Sequence, residues 1–595
     1  MHLPEFRFLL AICFASISLP GFTALPQDKQ TRYNLDFEYA KNDSVPTQWT
    51  LRNFLLTGYV FTLDGQVKQH GRASLKAQWR DPHYSEFSSW GGFQNFLPGD
   101  LVAGKELEIS GWVKTKDSVN VCAGYAIFAY DPAKYDGTLL SKIDTIGGIR
   151  GTTDWTRYTT KQRIDEGTDC VMIAGFVSGK GTAWFDNIEL KINGVKYEGR
   201  DIPALKTELS SRDKQKLQQY VYPLRTFEPD GGDTNDLDVL EQSIGACKVI
   251  GLGECTHGTS EIYKMKDRIV RYLAENDGVD IFSIEANMPE SYQLNDYTIR
   301  GEGDPRQLIR GLYVWPWMTE EMLNMVEWMR TYNASQPKII FTGVDMQMYT
   351  TLMLQLQQRL AACPAASRRA AAIAEKLKHI YPRPFRIDNP LAKELDAELN
   401  ELAASEELTA LPAGEQAWIR QYIDLLHQFL SQGTDPDWRD RGMAANMEWI
   451  LRQNPGSKAV LWAHNQHINQ KQGMSRMNRS TGYFLKESLG DDYPTFGFIC
   501  YAGNFTAWKG SLKACDMPTP APGTLEYVLG QLEESIFILD LKKMRRDNAP
   551  ALQWIDDLEY REFGATPDVF YNTQITEAFD YLIFIRESSA SHILK

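Results

Sequence analysis

The chain has 595 residues, a net charge of −14 and 43% hydrophobic residues. That length exceeds what one hydrophobic core supports. The acidic balance, without a long basic run, argues against a nucleic acid partner, because phosphate binding needs clustered Lys and Arg. The opening stretch reads as an export leader: Arg7 gives a weakly basic start, Phe8 to Leu19 is apolar, and Pro20-Gly21 breaks the run. It is too short to cross a membrane. Residues 1–24 are therefore assigned to a leader cleaved near Ala24, with a periplasmic or extracellular destination and no transmembrane helix in the mature chain. Cys13 follows Leu10-Ala11-Ile12, a poor lipidation context, so a lipid anchor is disfavoured. The remaining cysteines are odd in number and contain no CxxC, which suggests neither a zinc cage nor a redox pair. Cys122 and Cys170 either bridge within the first domain or stay as buried thiols.

Residues 28–196 read as all-β. From Lys105 to Thr115, Leu107, Ile109, Gly111 and Val113 alternate with Glu106, Glu108, Ser110 and Trp112, and the run from Ala183 to Ile192 alternates likewise. Gly-rich turns such as Gly147-Gly148 punctuate these runs, which predicts a β-sandwich. The strings SGWVKT (110–115), TDWTRYT (153–159) and WFDNIEL (184–190) resemble stretches of carbohydrate-binding-module jelly rolls. Trp49, Trp79, Trp90, Trp112, Trp155 and Trp184 are then either sugar platforms or core residues.

Residues 197–235, charged and ending in Pro229-Asp230-Gly231-Gly232-Asp233, form a linker with a helix around Arg212 to Tyr220. The second domain is placed at 236–595. Its short apolar runs, Lys248 to Gly253, Asp280 to Ile284, Lys338 to Val344 and Lys458 to Ala463, are β-branched or aromatic and do not alternate with polar residues, as expected of strands covered on both faces. Between them lie segments of helical spacing, for instance Ile262, Met265, Ile269 and Leu273. The fold class is thus α/β, a parallel or mixed sheet with flanking helices, preceded by the all-β sandwich. A helical insertion at 350–454, with Leu356, Leu360, Ile373, Leu377, Leu425 and Ile450 on apolar stripes, leaves the sheet where it can cap a site. Further strand-like runs at Thr495 to Tyr501, Ser535 to Leu541 and Tyr581 to Ile585 complete the sheet.

In such sheets ligands bind outside the carboxyl ends of the strands. Glu254, His257, Glu285, Asp345, His464 and His467 all follow strand runs and converge on that edge. The string Gly253-Glu254-Cys255-Thr256-His257-Gly258-Thr259, then Ile284-Glu285, Trp315-Pro316-Trp317-Met318, Gly343-Val344-Asp345, Arg439-Asp440-Arg441 and Ala463-His464-Asn465-Gln466-His467, resembles the erythromycin esterase family over about residues 236–590. The resemblance implies hydrolysis of a lactone by water, with His257 as general base, Glu254, Glu285 and His464 positioning the water and tuning the base, and His467 nearby. It also implies a basic residue on the helix after the first motif, where Lys266 aligns and Arg268 is a second candidate.

The residues support that chemistry on their own terms. An imidazole with its ordinary value of about 6.5 exchanges protons near neutral pH, and a flanking carboxylate fixes its tautomer. The developing oxyanion needs a positive partner, for which Lys266, Arg268 or a protonated His464 are candidates. No GxSxG occurs, so direct attack by water is simpler than a serine nucleophile. Asp345 stands between a role behind the site and a structural pairing at a strand end, and Trp315 and Trp317 between a substrate wall and core packing. No cofactor is expected; a divalent metal on the Glu and His set is the less favoured alternative, since HExxH is missing. The expected function is an exported hydrolase of a carboxylic ester or lactone, on a glycan or a macrolide. The rival readings are a metal-dependent hydrolase of another bond and a non-catalytic glycan-binding surface protein.

Overall fold

The computed structural model describes residues 33–595 apart from 41–45, 53–58, 81–89, 131–147, 169, 198–205, 231, 246, 336–337, 381–389, 433–436, 472–478, 509–510, 563–569 and 572–573. The predicted leader, residues 1–24, and the side chain of Trp90 lie outside the described residues. The chain forms two compact units.

In the first unit the strands Thr50–Arg52, Tyr59–Asp64, Ser74–Trp79, Trp90–Pro98, Glu106–Tyr130, Thr153–Arg163 and Cys170–Ile192 are joined by antiparallel pairings. The two longest, Glu106–Tyr130 and Cys170–Ile192, run side by side with register shifts between Ser110 and Trp112 and between Asp117 and Cys122. Such irregularities bend a strand, so both curl over one core and make the sandwich that the alternation predicts. Leu107, Ile109 and Val113 point into that core with Phe93, Ile173 and Phe185. Trp49 is a core residue, and Trp184 is buried with its indole N–H donated to Asp64 Oδ2 at 3.0 Å. Trp79, Trp112 and Trp155 are half-buried. Cys122 and Cys170 are both buried thiols: the register sets Cys122 opposite Ser178 and Cys170 opposite Tyr130, too far along the ladder to bridge.

Thr519–Glu533 and Ala549–Ile575, which the sequence reading counts with the second domain, belong to this first unit. Hydrogen bonds from Gln48 N–H to Glu559 Oε1 (3.2 Å) and from Leu209 N–H to Gln531 Oε1 (2.9 Å) hold them there.

The second unit is built on a mixed sheet in the order Val221–Pro223, Ile536–Asp540, Tyr581–Ser588, Thr495–Trp508, Val249–Leu252, Lys458–Trp462, Val279–Asn287, Ile340–Asp345. The last six in that order are parallel neighbours, and Ile536–Asp540 adds antiparallel to Tyr581–Ser588. The strand Val221–Pro223 shows that this unit starts ahead of residue 236, within the predicted linker. On one face Val249, Ile281, Ala459 and Leu461 share a core with the helices of the insertion, among them Thr350–Arg359, Pro364–Leu377, Ala413–Leu430 and Trp438–Gln453. On the other, Phe282 and Trp462 meet each other, and Trp462 meets Tyr263 of the helix Ser260–Asn276. Helices on both faces explain why the strand runs carry no polar alternation.

The loop after Val249–Leu252 is fixed by close backbone approach. Asn465 donates its amide to Phe498 O (2.8 Å), accepts from Phe498 N–H (3.0 Å), and donates its own backbone N–H to Glu254 O (2.9 Å). Gly258 has φ +81°, and a Cβ there would lie 2.4 Å from Thr506 O. Gly258→Ala is expected to cost about 1–2 kcal/mol for the left-handed backbone alone, with the clash adding to it. Urea unfolding of the variant checks this, and a loss below that range would show that the turn relaxes.

Candidate active site

Glu254 follows its strand by two residues and is buried, and its carboxylate is met by three donors. His257 Nδ1–H lies 2.6 Å from Oε1, Lys266 Nζ 3.1 Å and Trp462 Nε1–H 2.8 Å from Oε2. Burial pushes this carboxyl up, but Lys266, the hydrogen bond and charge of His257, and His464 outweigh it and hold it at about 2. An ionised Glu254 accepts from Nδ1–H, so whenever the ring carries a single proton it is Nε2 that holds the lone pair. The His257 ring keeps a quarter of its surface exposed. It is flanked by the His464 ring, centroids 5.0 Å apart, and by the half-buried Trp315, edge-on at 5.9 Å.

Glu285 sits in a register irregularity: Ile284 pairs with Gly343 and Asn287 with Asp345, so the strand Val279–Asn287 gains a residue over its neighbour there. A bulge of this kind re-aims side chains at a sheet's edge. Glu285 Oε2 accepts the His464 backbone N–H (3.0 Å), and Oε1 accepts from Arg439 Nη2 (2.7 Å) and lies 3.3 Å from His467 Nε2. Burial raises this carboxyl, but His467 and Arg439 bring it well below its ordinary value. His467 Nδ1 pairs with Asp440 Oδ1 at 2.7 Å. Burial disfavours its charge and Arg439 Nη1 lies 3.2 Å from Nε2, yet Asp440 and Glu285 together raise it to about 10, which favours the imidazolium at neutral pH.

Asp345 does not line the mouth. It is buried and turned to Arg439, whose Nη2 lies 2.7 Å away, and it also accepts from Gln347 Nε2 at 2.6 Å. Trp317 is buried too; its indole N–H goes to the carbonyl of Glu285 (3.1 Å), making it a brace and not a substrate wall. Trp315 alone of the pair borders His257.

Lys266 and Arg268 part company for a helical reason, since residues two apart on a helix point to different sides. Lys266 faces inward, fully buried, with Nζ 4.3 Å from the centre of the Trp462 ring and 5.6 Å from that of Phe498. Burial pushes it down to about 8 against the pull of Glu254, so it remains a cation at neutral pH with its charge directed to Glu254 Oε2. Arg268 is buried on Asp236 (2.6 Å) and the carbonyls of Thr226 and Asp233, so it takes no part in the site.

Arg439 and Asp440 are the site residues to which sequence reasoning gave no role, although the Arg-Asp-Arg string marked them. They come from the first turn of the helix Trp438–Gln453, the last of the insertion. Among the described residues no group of three His, Cys, Asp or Glu side chains is arranged to hold a metal ion; the carboxylates of the site are turned to Lys266, Arg439 and the histidines.

A model of the erythromycin esterase family matches residues 274–588, just over half of the chain. The chain belongs to the erythromycin esterase family. The match starts within the helix that carries Lys266, so Glu285, Asp345, Arg439, His464 and His467 fall inside it and Glu254 and His257 ahead of it. The chain is 24% identical over 423 residues to erythromycin esterase type II of Escherichia coli, covering 62% of this chain and 97% of that protein. A solved structure of a succinoglycan biosynthesis protein is similar over 64% of this chain and 97% of its own, at 26% identity and a TM-score of 0.56. Over 29% of this chain there is also a likeness to the CBM22-1 xylan-binding domain of Paenibacillus barcinonensis Xyn10C, at 18% identity and a TM-score of 0.21.

The raised value of His467 has a definite sign. A histidine higher in the folded state than in the unfolded chain stabilises fully below about pH 6.5, and this contribution fades as pH rises through about 10. His467→Asn should therefore cost about 3–5 kcal/mol near neutrality, as for a broken buried ion pair, and progressively less toward pH 10. Denaturant unfolding at pH 6, 8 and 10 reads this directly, and a cost that stays constant over the range would mean a neutral His467.

Proposed function

We propose that this family member hydrolyses a carboxylic ester or lactone, with His257 taking a proton from the attacking water. The observation that carries the reading is the short Glu254 to His257 Nδ1 hydrogen bond, which leaves Nε2 as the acceptor on a ring that keeps a quarter of its surface exposed. Water gives its proton to Nε2 while its oxygen adds to the carbonyl carbon, and the C=O π pair moves onto oxygen. When the tetrahedral species collapses, the alkoxide leaves and recovers the proton from the imidazolium, so ester and water become acid and alcohol.

The imidazolium formed by that transfer keeps the Glu254 carboxylate against its Nδ1–H, so the charge it gains meets a buried anion. With Lys266 and Arg268 both committed elsewhere, His464 is the group best placed beside the base to meet the oxyanion.

The substrate class we favour is an ester on a glycan or another extracellular molecule. The apolar leader segment supports export, and a relative named for succinoglycan biosynthesis supports a polysaccharide connection. A macrolide lactone is the second reading, supported by the Escherichia coli erythromycin esterase.

The test is hydrolysis, without added metal, of a panel of aryl esters, acylated sugars and lactones including a macrolide, by the wild type and His257→Ala. The variant is expected to lose a factor of about a hundred to ten thousand in kcat, the usual worth of a general base. Equal rates in both would defeat the reading. Glu254→Gln keeps the shape but not the charge, and is expected to lower kcat with KM little changed, which steady-state kinetics on the best substrate of the panel will show.

A further inference from the structure

The strand Tyr581–Ser588 leaves the sheet at the same carboxyl edge that carries the site, and the residues after it run across that edge. They bind the two segments that flank the base. On one side, Ser591 N–H and Thr506 N–H both donate to Gly258 O, at 2.9 and 2.8 Å, and Thr506 Oγ1 donates to Ser591 O at 3.0 Å. Ser260 N–H donates to Ser589 O (2.9 Å), while Ser589 gives its N–H and its hydroxyl to the two oxygens of buried Glu261, each at 2.6 Å. The turn that follows His257 is thus tied at Gly258, Ser260 and Glu261.

On the other side the same segment holds the residues after Trp315. Leu594 N–H donates to Met318 O (2.9 Å), and Glu320 N–H donates to His592 O (2.8 Å). Glu321 links both ends: its carboxylate accepts the Ser260 hydroxyl at 2.6 Å and lies 2.8 Å from His592 Nδ1. Tyr263 adds a crossbar, with its hydroxyl donated to Pro316 O at 2.7 Å.

We infer that Ser589–Lys595 is a positioning strap for the reaction: through Ser589, Ser591 and His592 it sets the His257 turn against the Trp315 segment and keeps the His257 ring on Glu254. None of its residues is a catalytic residue. Its effect passes through Gly258, Glu261 and Glu321 to the base, whose alignment decides turnover, because misplacement of a reacting group by about 1 Å costs on the order of a hundredfold. The inference rests on the reading of His257 as general base.

The experiment compares the full chain with a chain ending at Ser588, and with Glu261→Gln, which keeps the segment but weakens its anchor. Three quantities are read: kcat and KM on an aryl ester, the far-downfield proton resonance of the His257 Nδ1 hydrogen bond, assigned by its absence in His257→Ala, and the thermal unfolding midpoint. The shortened chain is expected to lose about tenfold to a hundredfold in kcat, with KM within about threefold. It should also lose or broaden the resonance, and recover both when a synthetic peptide of residues 589–595 is added. Glu261→Gln should show the same changes in smaller measure. An unaltered resonance and kcat in the shortened chain would overturn the inference. Should that chain fail to fold, Glu261→Gln decides alone, and an unaltered resonance and kcat there would overturn it as well. The resonance reports on the ring's seat on Glu254 without any turnover, so a failure of the strap is told apart from a failure of His257 as base.

Discussion

A buried, ionised carboxylate at Glu254 is the constraint around which this site is organised. Removing a carboxylate from water costs several kcal/mol even after relaxation, and the fold offsets that with Lys266, the Trp462 indole N–H and His257 on its two oxygens. Each partner is held by something else. Lys266 is sandwiched over Trp462, Trp462 is packed against Tyr263, Phe282 and Trp317, and the backbone of Glu254 is clamped by Asn465. The orientation of one imidazole is therefore written into the packing between a parallel sheet and the helix laid across it.

A second charged network stands beside the first, and it is the one the helical insertion completes. Arg439 lies between Glu285 and Asp345, and Asp440 next to it anchors His467. Glu285 in turn fixes the His464 backbone, so the two networks meet at the pair of histidine rings. The insertion helices are packed onto the sheet's own core, and from that seat they deliver the arginine to the two carboxylates. A guanidinium suits this place because its fork can serve two carboxylates at once, whereas the point charge of Lys266 suits the face of an indole.

The cost of such a site is conformational. A glycine in the left-handed region, a strand irregularity at Glu285 and a backbone turn tied at several points all depart from regular structure at the edge where the chemistry lies. Departures of this kind hold side chains at angles that a regular strand end would not present.

The strands, their parallel packing and the convergence of Glu254, His257, Glu285 and His464 were legible in the sequence, because a doubly covered strand must be apolar throughout and its carboxyl end must carry whatever the site uses. The sandwich was legible as well, since one buried face imposes an alternation of period two on each strand. Beyond that, proximity in sequence misled. Arg268 is two residues from Lys266 and Trp317 two from Trp315, yet in each pair only one side chain reaches the site, because the direction of a side chain depends on helix phase and local backbone. Arg439 and the segments 519–533 and 549–575 were assigned only by tertiary structure: which charge meets Glu285, and which unit a returning stretch of chain joins, are settled by contacts between residues more than a hundred positions apart, and no local pattern encodes them.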